Sequence, residues 1–256
     1  MMNAGHRKSS ATGDLPAHVD WTVCALFLDF DGTLAPIVDR PSDARLSEST
    51  QQLLTQLVAA TSGATAVLSG RALDDLKTRV SELDVVLSGS HGMEICYPGG
   101  QGNTSGDVSR ELALAFAQLQ PFAAEIGLQL ERKPGSIALH YRNHPDRAEA
   151  CRSRVNEAAA LPGLRALHGD MVSEAALAGV DKGKALEEII VTAPFAGRLP
   201  IMLGDDVTDE DGFRAAQDLG GFGLKIGSSA TIAQYQVPTM QDALAWLENS
   251  LTSSEQ

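Results

Sequence analysis

An apolar run that ends in two carboxylates constrains this sequence more than any other feature. Residues 23–28 read Val-Cys-Ala-Leu-Phe-Leu, too apolar for a strand with one face in water, so they predict a strand in the middle of a sheet. Asp29 and Asp31 follow at its carboxyl end, where open α/β sheets place their sites. Two such acids repel each other unless a divalent cation binds them, and the cation leaves one carboxylate usable as a nucleophile. The pattern favours Mg²⁺-assisted attack on phosphorus, although an acidic turn without catalytic function has the same local composition.

The bulk composition excludes several other classes of protein. With 256 residues, 43% of them hydrophobic, the chain can form a full core and a second lobe. Its 20 Lys and Arg against 33 Asp and Glu give a net charge of −13, which argues against nucleic acid or an anionic membrane as the main partner. Cys24, Cys96 and Cys151 form no CxxC pair and no apolar run reaches about 18 residues, so we expect no disulfide framework, no membrane span and a cytoplasmic location. Residues 1–20 are polar and are expected to form a flexible tail.

A second short strand ends in groups suited to binding phosphate. Residues 64–68 are mostly apolar, and Ser69, Gly70 and Arg71 follow before a helical segment that begins near residue 72. A serine hydroxyl can donate to a phosphoryl oxygen, a glycine lets backbone amides approach that oxygen, and a helix N-terminus favours anions. Taken alone, Ser69 is also consistent with an ordinary helix N-cap.

The C-terminal third of the chain supplies a lysine and a second acid cluster. Lys182 opens a predicted helix over 180–192, where its positive charge opposes the helix dipole and therefore needs another reason. It could reach a phosphoryl group held at the first acid pair, or it could be a solvated lysine. The apolar run 199–203 is followed by an acidic segment that contains Asp205 and Asp209, which could add the metal ligands that the first acid pair lacks.

The middle of the chain predicts a second lobe. A helical pattern, a hairpin around Pro134-Gly135, and a second helix with two strands over 146–173 form a self-contained α/β unit. We therefore expect residues 94–177 to form a cap inserted in an α/β core made of residues 21–93 and 178–256.

Short motifs resemble those of a known enzyme superfamily. Asp-Phe-Asp-Gly-Thr-Leu at 29–34 is similar to the first motif of the haloacid dehalogenase (HAD) superfamily of phosphohydrolases, and the other three motifs follow in order. More closely, the chain resembles the trehalose-6-phosphate phosphatase family. The matching pieces are Leu-Ser-Gly-Arg at 68–71, Gly-Ser-His-Gly-Met-Glu at 89–94, Leu-His-Tyr-Arg at 139–142 and Gly-Asp-Asp-Val-Thr-Asp-Glu at 204–210. The resemblance implies a Rossmann-like core with a parallel sheet, a smaller mobile α/β cap, Mg²⁺ as cofactor, hydrolysis of trehalose 6-phosphate, and a functional link to trehalose-phosphate synthase.

The same resemblance implies roles for individual residues. Asp29 would be the nucleophile that forms an aspartyl-phosphate, and Asp31 the acid that protonates the departing sugar oxygen and then deprotonates water. Ser69 and Lys182 would hold the phosphoryl oxygens. The implied Mg²⁺ ligands are Asp29, the main-chain carbonyl of Asp31, Asp205 and, in a supporting position, Asp209; the implied substrate-binding residues are Gly70, Arg71, Glu131, Lys133 and Glu174, with His140 and Arg142 shaping the same face.

One stretch of the cap departs from the family pattern. The family typically continues as Gly-Lys-x-x-x-Glu-x-Lys/Arg-Pro, whereas this chain has Asp170 in place of the lysine, and Ala176 and Leu177 in place of the last two residues. The distal sugar is therefore less well specified than the chemistry. The alternatives are a phosphatase of another sugar phosphate, such as a sucrose or glucosylglycerate ester, and a regulatory protein that has lost catalysis.

Overall fold

The computed structural model describes residues 14–80, 83–100, 102–104 and 109–252. Most of the predicted flexible tail, residues 1–13, lies outside these ranges. Its last residues pack against the core, because Val19 is buried and the Trp246 indole Nε1 donates a hydrogen bond to the Pro16 carbonyl at 2.9 Å. The described part of the predicted tail is therefore attached to the folded domain.

The described residues form twelve strands and seven α-helices. The strands are β1 (Cys24–Leu28), β2 (Thr65–Leu68), β3 (Val86–Gly89), β4 (Glu94–Cys96), β5 (Gly102–Thr104), β6 (Gln129–Lys133), β7 (Ser136–His140), β8 (Leu164–Gly169), β9 (Val172–Leu177), β10 (Leu199–Gly204), β11 (Phe222–Ile226) and β12 (Tyr235–Val237). The helices are α1 (Glu48–Ala60), α2 (Leu73–Arg79), α3 (Arg110–Ile126), α4 (Ala148–Ala159), α5 (Lys182–Ile190), α6 (Asp209–Asp218) and α7 (Met240–Thr252). None of these helices has the length and apolar character needed to cross a membrane.

Eight strands form one large sheet in the order β12-β11-β10-β1-β2-β3-β4-β5. The six strands from β12 to β3 run parallel, and β4 and β5 are antiparallel to their neighbours. β1 lies between β10 and β2, and all five of its residues are buried, as its apolar sequence predicts. The α/β fold with a mostly parallel sheet is confirmed.

Helices cover both faces of the large sheet. On one face α1, α2 and α7 pack on the sheet through a cluster that includes Leu54, Leu76 and Trp246. On the other face α5 and α6 pack through residues such as Ile189 and Phe213. Because β1 has helices on both sides, the groups at its carboxyl end lie at the centre of one edge of a three-layer core.

The remaining four strands form a separate antiparallel sheet in the order β6-β7-β9-β8. Its first pair is the hairpin predicted around Pro134-Gly135. One face is covered by α3 and α4, with Leu119 and Val155 in the shared hydrophobic cluster. Since strand side chains alternate, the other face carries Glu131, Lys133 and Glu174. This small two-layer unit fits the expected inserted cap.

The structure differs from the sequence prediction at two edges of the large sheet. Residues 94–104, assigned to the cap, contain β4 and β5, which extend the large sheet beyond β3. At the other edge β12 pairs outside β11, and no strand is predicted over the residues of β12. These added strands are three residues long, and such short segments carry almost no periodic signal.

Candidate active site

The carboxyl end of β1 places Asp29 inside the core. Its side chain is buried, and its backbone N–H donates to the Leu203 carbonyl on β10 at 2.9 Å. Gly32, in the turn that follows, has a φ of +79°, and a Cβ there would lie 2.1 Å from Asp205 Oδ2. A side chain at position 32 would therefore displace Asp205, so the glycine allows two acidic turns to approach each other.

Three carboxylates meet at this edge of the sheet. Asp29, Asp205 and Asp209 each offer an oxygen that lies within 4.8 Å of the other two. Burial raises the pKa of Asp29 well above its ordinary value despite the opposing charge of Lys182, and burial with repulsion from Asp209 raises the pKa of Asp205 to about 7. A hard divalent cation takes oxygen ligands and would remove this repulsion, so the donor set fits such a metal.

Lys182 lies among the same acids. Its Nζ donates to Asp29 Oδ1 at 2.5 Å and to Asp209 Oδ1 at 2.6 Å. Burial disfavours its charge, but the carboxylates of Asp209 and Asp29 outweigh burial and raise its pKa. The helix can begin here because the N-cap Asp181 accepts a hydrogen bond from the Lys184 N–H at 2.8 Å. The alternative of a solvated lysine is wrong, since Lys182 is only 2% exposed.

Ser69, Gly70 and Arg71 leave β2 beside these acids. The Ser69 hydroxyl is buried and accepts a hydrogen bond from the Arg71 backbone N–H at 3.2 Å, which leaves its hydrogen available to an anion. Ser69 is not the N-cap of α2, because that helix begins four residues later. A Cβ at Gly70 would lie 2.5 Å from His91 Cε1, so only a glycine lets this histidine ring pack against the loop.

Arg71 is bound to Asp31. Its Nε donates to Asp31 Oδ2 at 2.7 Å and its Nη2 to Asp31 Oδ1 at 2.6 Å, the bidentate geometry in which an arginine fixes a carboxylate most firmly. The third guanidinium nitrogen, Nη1, donates to Asp75 Oδ2 at 2.8 Å. Asp31 is 39% exposed, and its side chain does not belong to the three-carboxylate cluster of the described residues.

The predicted cap residues form two hydrogen-bonded groups on one face of the cap sheet. Lys133 Nζ donates to Glu174 Oε1 at 2.7 Å, and the hydroxyl of Ser136 donates to Glu174 Oε2 at 2.7 Å. Burial favours the neutral form of Glu174, but the charge of Lys133 outweighs it and, with His91 Nε2 at 3.5 Å from Glu174 Oε2, holds the pKa of Glu174 well below the ordinary value. Glu131 pairs with His140 Nε2 at 2.8 Å on the same sheet face. The cap therefore presents ionised, hydrogen-bonded side chains to the core.

The two groups face a shared cavity of about 880 Å³. This volume is within the range of about 300–1,000 Å³ that is typical of small-molecule sites. All the site residues predicted from the sequence line it except Asp209, which is fully buried behind Lys182. At one side of the cavity Arg142 Nη2 donates to Asp170 Oδ2 at 3.1 Å.

Sequence reasoning missed three contributors to the site. Asp75 and Arg79 line the cavity beside Arg71, and Ser136 holds Glu174. The spacing of Arg71, Asp75 and Arg79 is i, i+4 and i+8, a charge pattern that predicts ion pairs on one helix face. Ser136 gave no comparable signal, because a lone serine in a hairpin is usually structural.

The fold and the buried acids define the class of protein. A solved haloacid dehalogenase-like hydrolase from Bacillus subtilis superposes with a TM-score of 0.63 at 16% identity, covering 88% of this chain and 98% of that chain. The C-terminal domain of Candida albicans trehalose-6-phosphate phosphatase superposes with a TM-score of 0.79 at 24% identity, covering 91% of this chain and 94% of that chain. The chain therefore has the fold of the HAD superfamily.

Sequence comparison narrows this class to one family. The family model described as trehalose-phosphatase matches residues 27–240. The trehalose-6-phosphate phosphatase of Escherichia coli K12 is 33% identical over 253 residues, which are 96% of this chain and 91% of that protein. A probable trehalose-phosphate phosphatase of Sinorhizobium fredii is 35% identical over 205 residues, 79% of this chain and 77% of that protein. The chain belongs to the trehalose-phosphatase family.

Proposed function

We propose that the protein is a Mg²⁺-dependent phosphatase that hydrolyses trehalose 6-phosphate to trehalose and phosphate. The observation that carries the proposal is the cavity itself, which has Asp29 with Lys182 on its core side and Glu131, Lys133 and Glu174 on its cap side. The first pair suits a phosphoryl group, and the second set suits the hydroxyl groups of a sugar. A substrate with both features fits the family to which the chain belongs.

The core residues would carry out the chemistry in two steps. In the first, an Asp29 oxygen attacks phosphorus while the bond from phosphorus to the sugar oxygen breaks, and Asp31 gives that oxygen its proton. In the second, Asp31 takes a proton from water, and the water oxygen attacks the aspartyl-phosphate and releases phosphate and free Asp29. Lys182 and the Ser69 hydroxyl would hold the phosphoryl oxygens in both steps.

The acid cluster would hold the metal. Asp29, Asp205 and Asp209 are the side chains whose oxygens converge, and the sequence resemblance adds the Asp31 main-chain carbonyl. Mg²⁺ bound there supplies positive charge that neutralises the phosphoryl oxygens. Asp209 also accepts the Asp206 backbone N–H at 2.9 Å, which fixes the turn that carries Asp205.

A phosphatase for a different sugar phosphate is the second candidate. The observation that favours it is the Arg142–Asp170 pair, which stands where the family pattern has a lysine. A lysine would only donate hydrogen bonds to a sugar, whereas Asp170 only accepts them and adds repulsion toward a dianionic ester. The core chemistry is the same in both candidates, so the difference lies in the distal sugar.

A phosphate-release screen tests the proposal. Purified protein is incubated with trehalose 6-phosphate, sucrose 6-phosphate, glucose 6-phosphate and glucosylglycerate phosphate, with Mg²⁺ and with EDTA. We expect trehalose 6-phosphate to give the highest kcat/KM and EDTA to abolish release. Preference for another ester would transfer the assignment to that ester, and release that persists in EDTA would contradict the metal site. An inactive protein would favour a regulatory homologue.

The link to a trehalose-phosphate synthase, which would supply the substrate, stays a prediction.

The variant Asp170→Lys tests how the cap reads the second sugar. If Asp170 weakens binding of the distal glucose, the lysine should lower KM for trehalose 6-phosphate by up to about tenfold, roughly 1.4 kcal/mol, and leave glucose 6-phosphate unchanged. The effect belongs in KM because the distal sugar is far from the reacting bond. If the wild type and the variant each have the same KM for trehalose 6-phosphate and glucose 6-phosphate, the cap does not bind the second sugar.

A further inference from the structure

Two carboxylates hold the Arg71 guanidinium from different sides. Asp31 accepts from Nε and Nη2, and Asp75 accepts from Nη1 at 2.8 Å. A guanidinium has five N–H donors, so these three bonds leave one N–H on each Nη nitrogen. Both bonding partners line the cavity together with Arg71, so the remaining donors belong to a group at its wall. Arg71 is 11% exposed, and these bonds determine where its plane lies.

Asp75 is itself held by a second arginine. Arg79 Nη2 donates to Asp75 Oδ1 at 2.6 Å and Arg79 Nε to Asp75 Oδ2 at 3.0 Å, another bidentate pair. Arg79 is only 5% exposed, and its Nη1 also donates to the Ala44 carbonyl at 2.5 Å. Its hydrogen bonds, led by those of Arg79, hold the pKa of Asp75 below its ordinary value, so this carboxylate stays ionised at neutral pH.

The contacts therefore form one chain from a surface loop to the acid of the proposed reaction. Ala44 lies next to the short 3₁₀ turn Pro41–Asp43, part of which borders the cavity. From there the bonds run through Arg79, Asp75 and Arg71 to Asp31. Every link but the first joins opposite charges. Of the three middle members, α2 supplies Arg79 and Asp75, one helical turn apart.

We propose that Asp75 and Arg79 are positioning residues, which fix the Arg71 guanidinium so that it orients Asp31 and turns its two remaining donors toward the sugar phosphate. The inference rests on the proposed phosphatase activity. The hydrogen bonds of Asp75 and Arg79 go to residues other than Asp31, so each acts through Arg71. Without Asp75 one side of the guanidinium is unrestrained, and Asp31 loses its fixed position.

A double-mutant cycle separates this role from a merely structural one. We expect Asp75→Asn to lower kcat/KM for trehalose 6-phosphate about tenfold, mostly in kcat, because misplacing a catalytic group by about 1 Å costs up to a hundredfold. Arg71→Lys keeps the charge but cannot bridge two carboxylates. In the Arg71→Lys variant, adding Asp75→Asn should lower kcat/KM by less than about twofold. The matched control is Asp74→Asn, the adjacent and exposed acid of α2, which should keep wild-type kinetics.

Several results would overturn the proposal. One such result is that Asp75→Asn has the same kcat and KM as Asp74→Asn. Another is that Asp75→Asn lowers kcat/KM by the same factor in the wild type and in the Arg71→Lys variant. Folded fractions are measured by circular dichroism, so that unfolding does not pass for lost turnover. If Asp75→Asn does not fold, Arg79→Gln takes its place in the same cycle with the same expectations. An inactive wild type would instead refute the proposed phosphatase function, which keeps the two failures distinct.

Discussion

Asp29 is the residue on which the proposed chemistry depends most. Asp29→Asn should fold and bind trehalose 6-phosphate but lose turnover, because an amide of the same shape neither attacks phosphorus nor carries the negative charge that a metal needs. We expect kcat to fall by more than about a hundredfold, a barrier increase above about 2.7 kcal/mol. Phosphate release and substrate binding are measured on the same preparation.

The matched control for this substitution is Asp218→Asn, which changes an exposed acid at the end of α6. It should leave both measurements unchanged. An Asp29→Asn variant that keeps more than about a hundredth of wild-type turnover would show that another group attacks phosphorus.

The burial of Asp205 beside other carboxylates predicts that the stability of the metal-free protein depends on pH. Its pKa is raised from 3.8 to about 7 on folding, so the folded protein binds this proton more tightly than the unfolded chain does. The contribution of Asp205 to stability is therefore complete below about pH 4 and is lost as the pH rises through about 7. In EDTA, Asp205→Asn should make the decline in Tm between pH 5 and pH 8 smaller, and the remainder is expected from Asp29, whose pKa burial also raises.

Stabilisation by Mg²⁺ should change with pH in the opposite direction to the stability of the metal-free protein. Because the metal requires the ionised carboxylate, its binding competes with the Asp205 proton, and the increase in Tm at a fixed Mg²⁺ concentration should be larger at pH 8 than at pH 6. The comparison protein is Asp205→Asn, in which we expect only a small shift at either pH. A shift that is equal at both pH values in the wild type would contradict Asp205 as a ligand.

At the scale of the element, α5 depends on its cap. Asp181 satisfies the Lys184 N–H at the start of the helix whose first residue is Lys182. Asp181→Ala should cost about 1 kcal/mol and lower Tm by about 2–4 °C, since N-cap losses and domains of this size have those magnitudes. Activity should fall as well, because the first turn carries the lysine of the site. The control Glu188→Ala changes an exposed residue of the same helix, and a matching loss of Tm there would contradict the role of the cap.

Elements with a strong apolar pattern were predictable, and strands of three residues were not. The strands that end at Asp29, Ser69 and Asp205 were recognised because a buried strand needs an unbroken apolar run. β4, β5 and β12 were missed because pairing with an existing sheet edge, rather than local sequence, makes them strands.

The same distinction applies within the site. Convergence of Asp29 and Asp205 followed from the rule that parallel strands bring their carboxyl ends to one edge. Lys182 begins a helix, so the sequence left it open between a site lysine and a solvated one. The bond between Arg71 and Asp31 did not follow, because it depends on a side-chain conformation that only the packed structure specifies. Sequence therefore predicted which residues meet, and the structure supplied which of them pair.

At the scale of the whole molecule, we predict that the cap separates from the core when substrate enters. Gly169 in the cap and Asp206 in the core come close, since a Cβ on Gly169 would lie 3.1 Å from Asp206 Oδ2. Cysteines at both positions, Gly169→Cys with Asp206→Cys, should therefore be close enough for a short bifunctional thiol reagent with a reducible bond to link the cap to the core. We expect the crosslinked double variant to be inactive and dithiothreitol to restore turnover, with the single variants as controls. Full activity in a verified crosslinked form would show that entry needs no movement of the cap.

The position of β1 between β2 and β10 affects how the protein is made. β2 follows β1 closely in the chain, but β10 comes only after the whole cap, and Asp29 and Lys182 are 153 residues apart. During synthesis one edge of the most apolar strand therefore stays without its neighbour until residue 199 has left the ribosome, and such an edge can pair with other chains. A gene truncated before that codon should yield an aggregating fragment rather than a partly active enzyme.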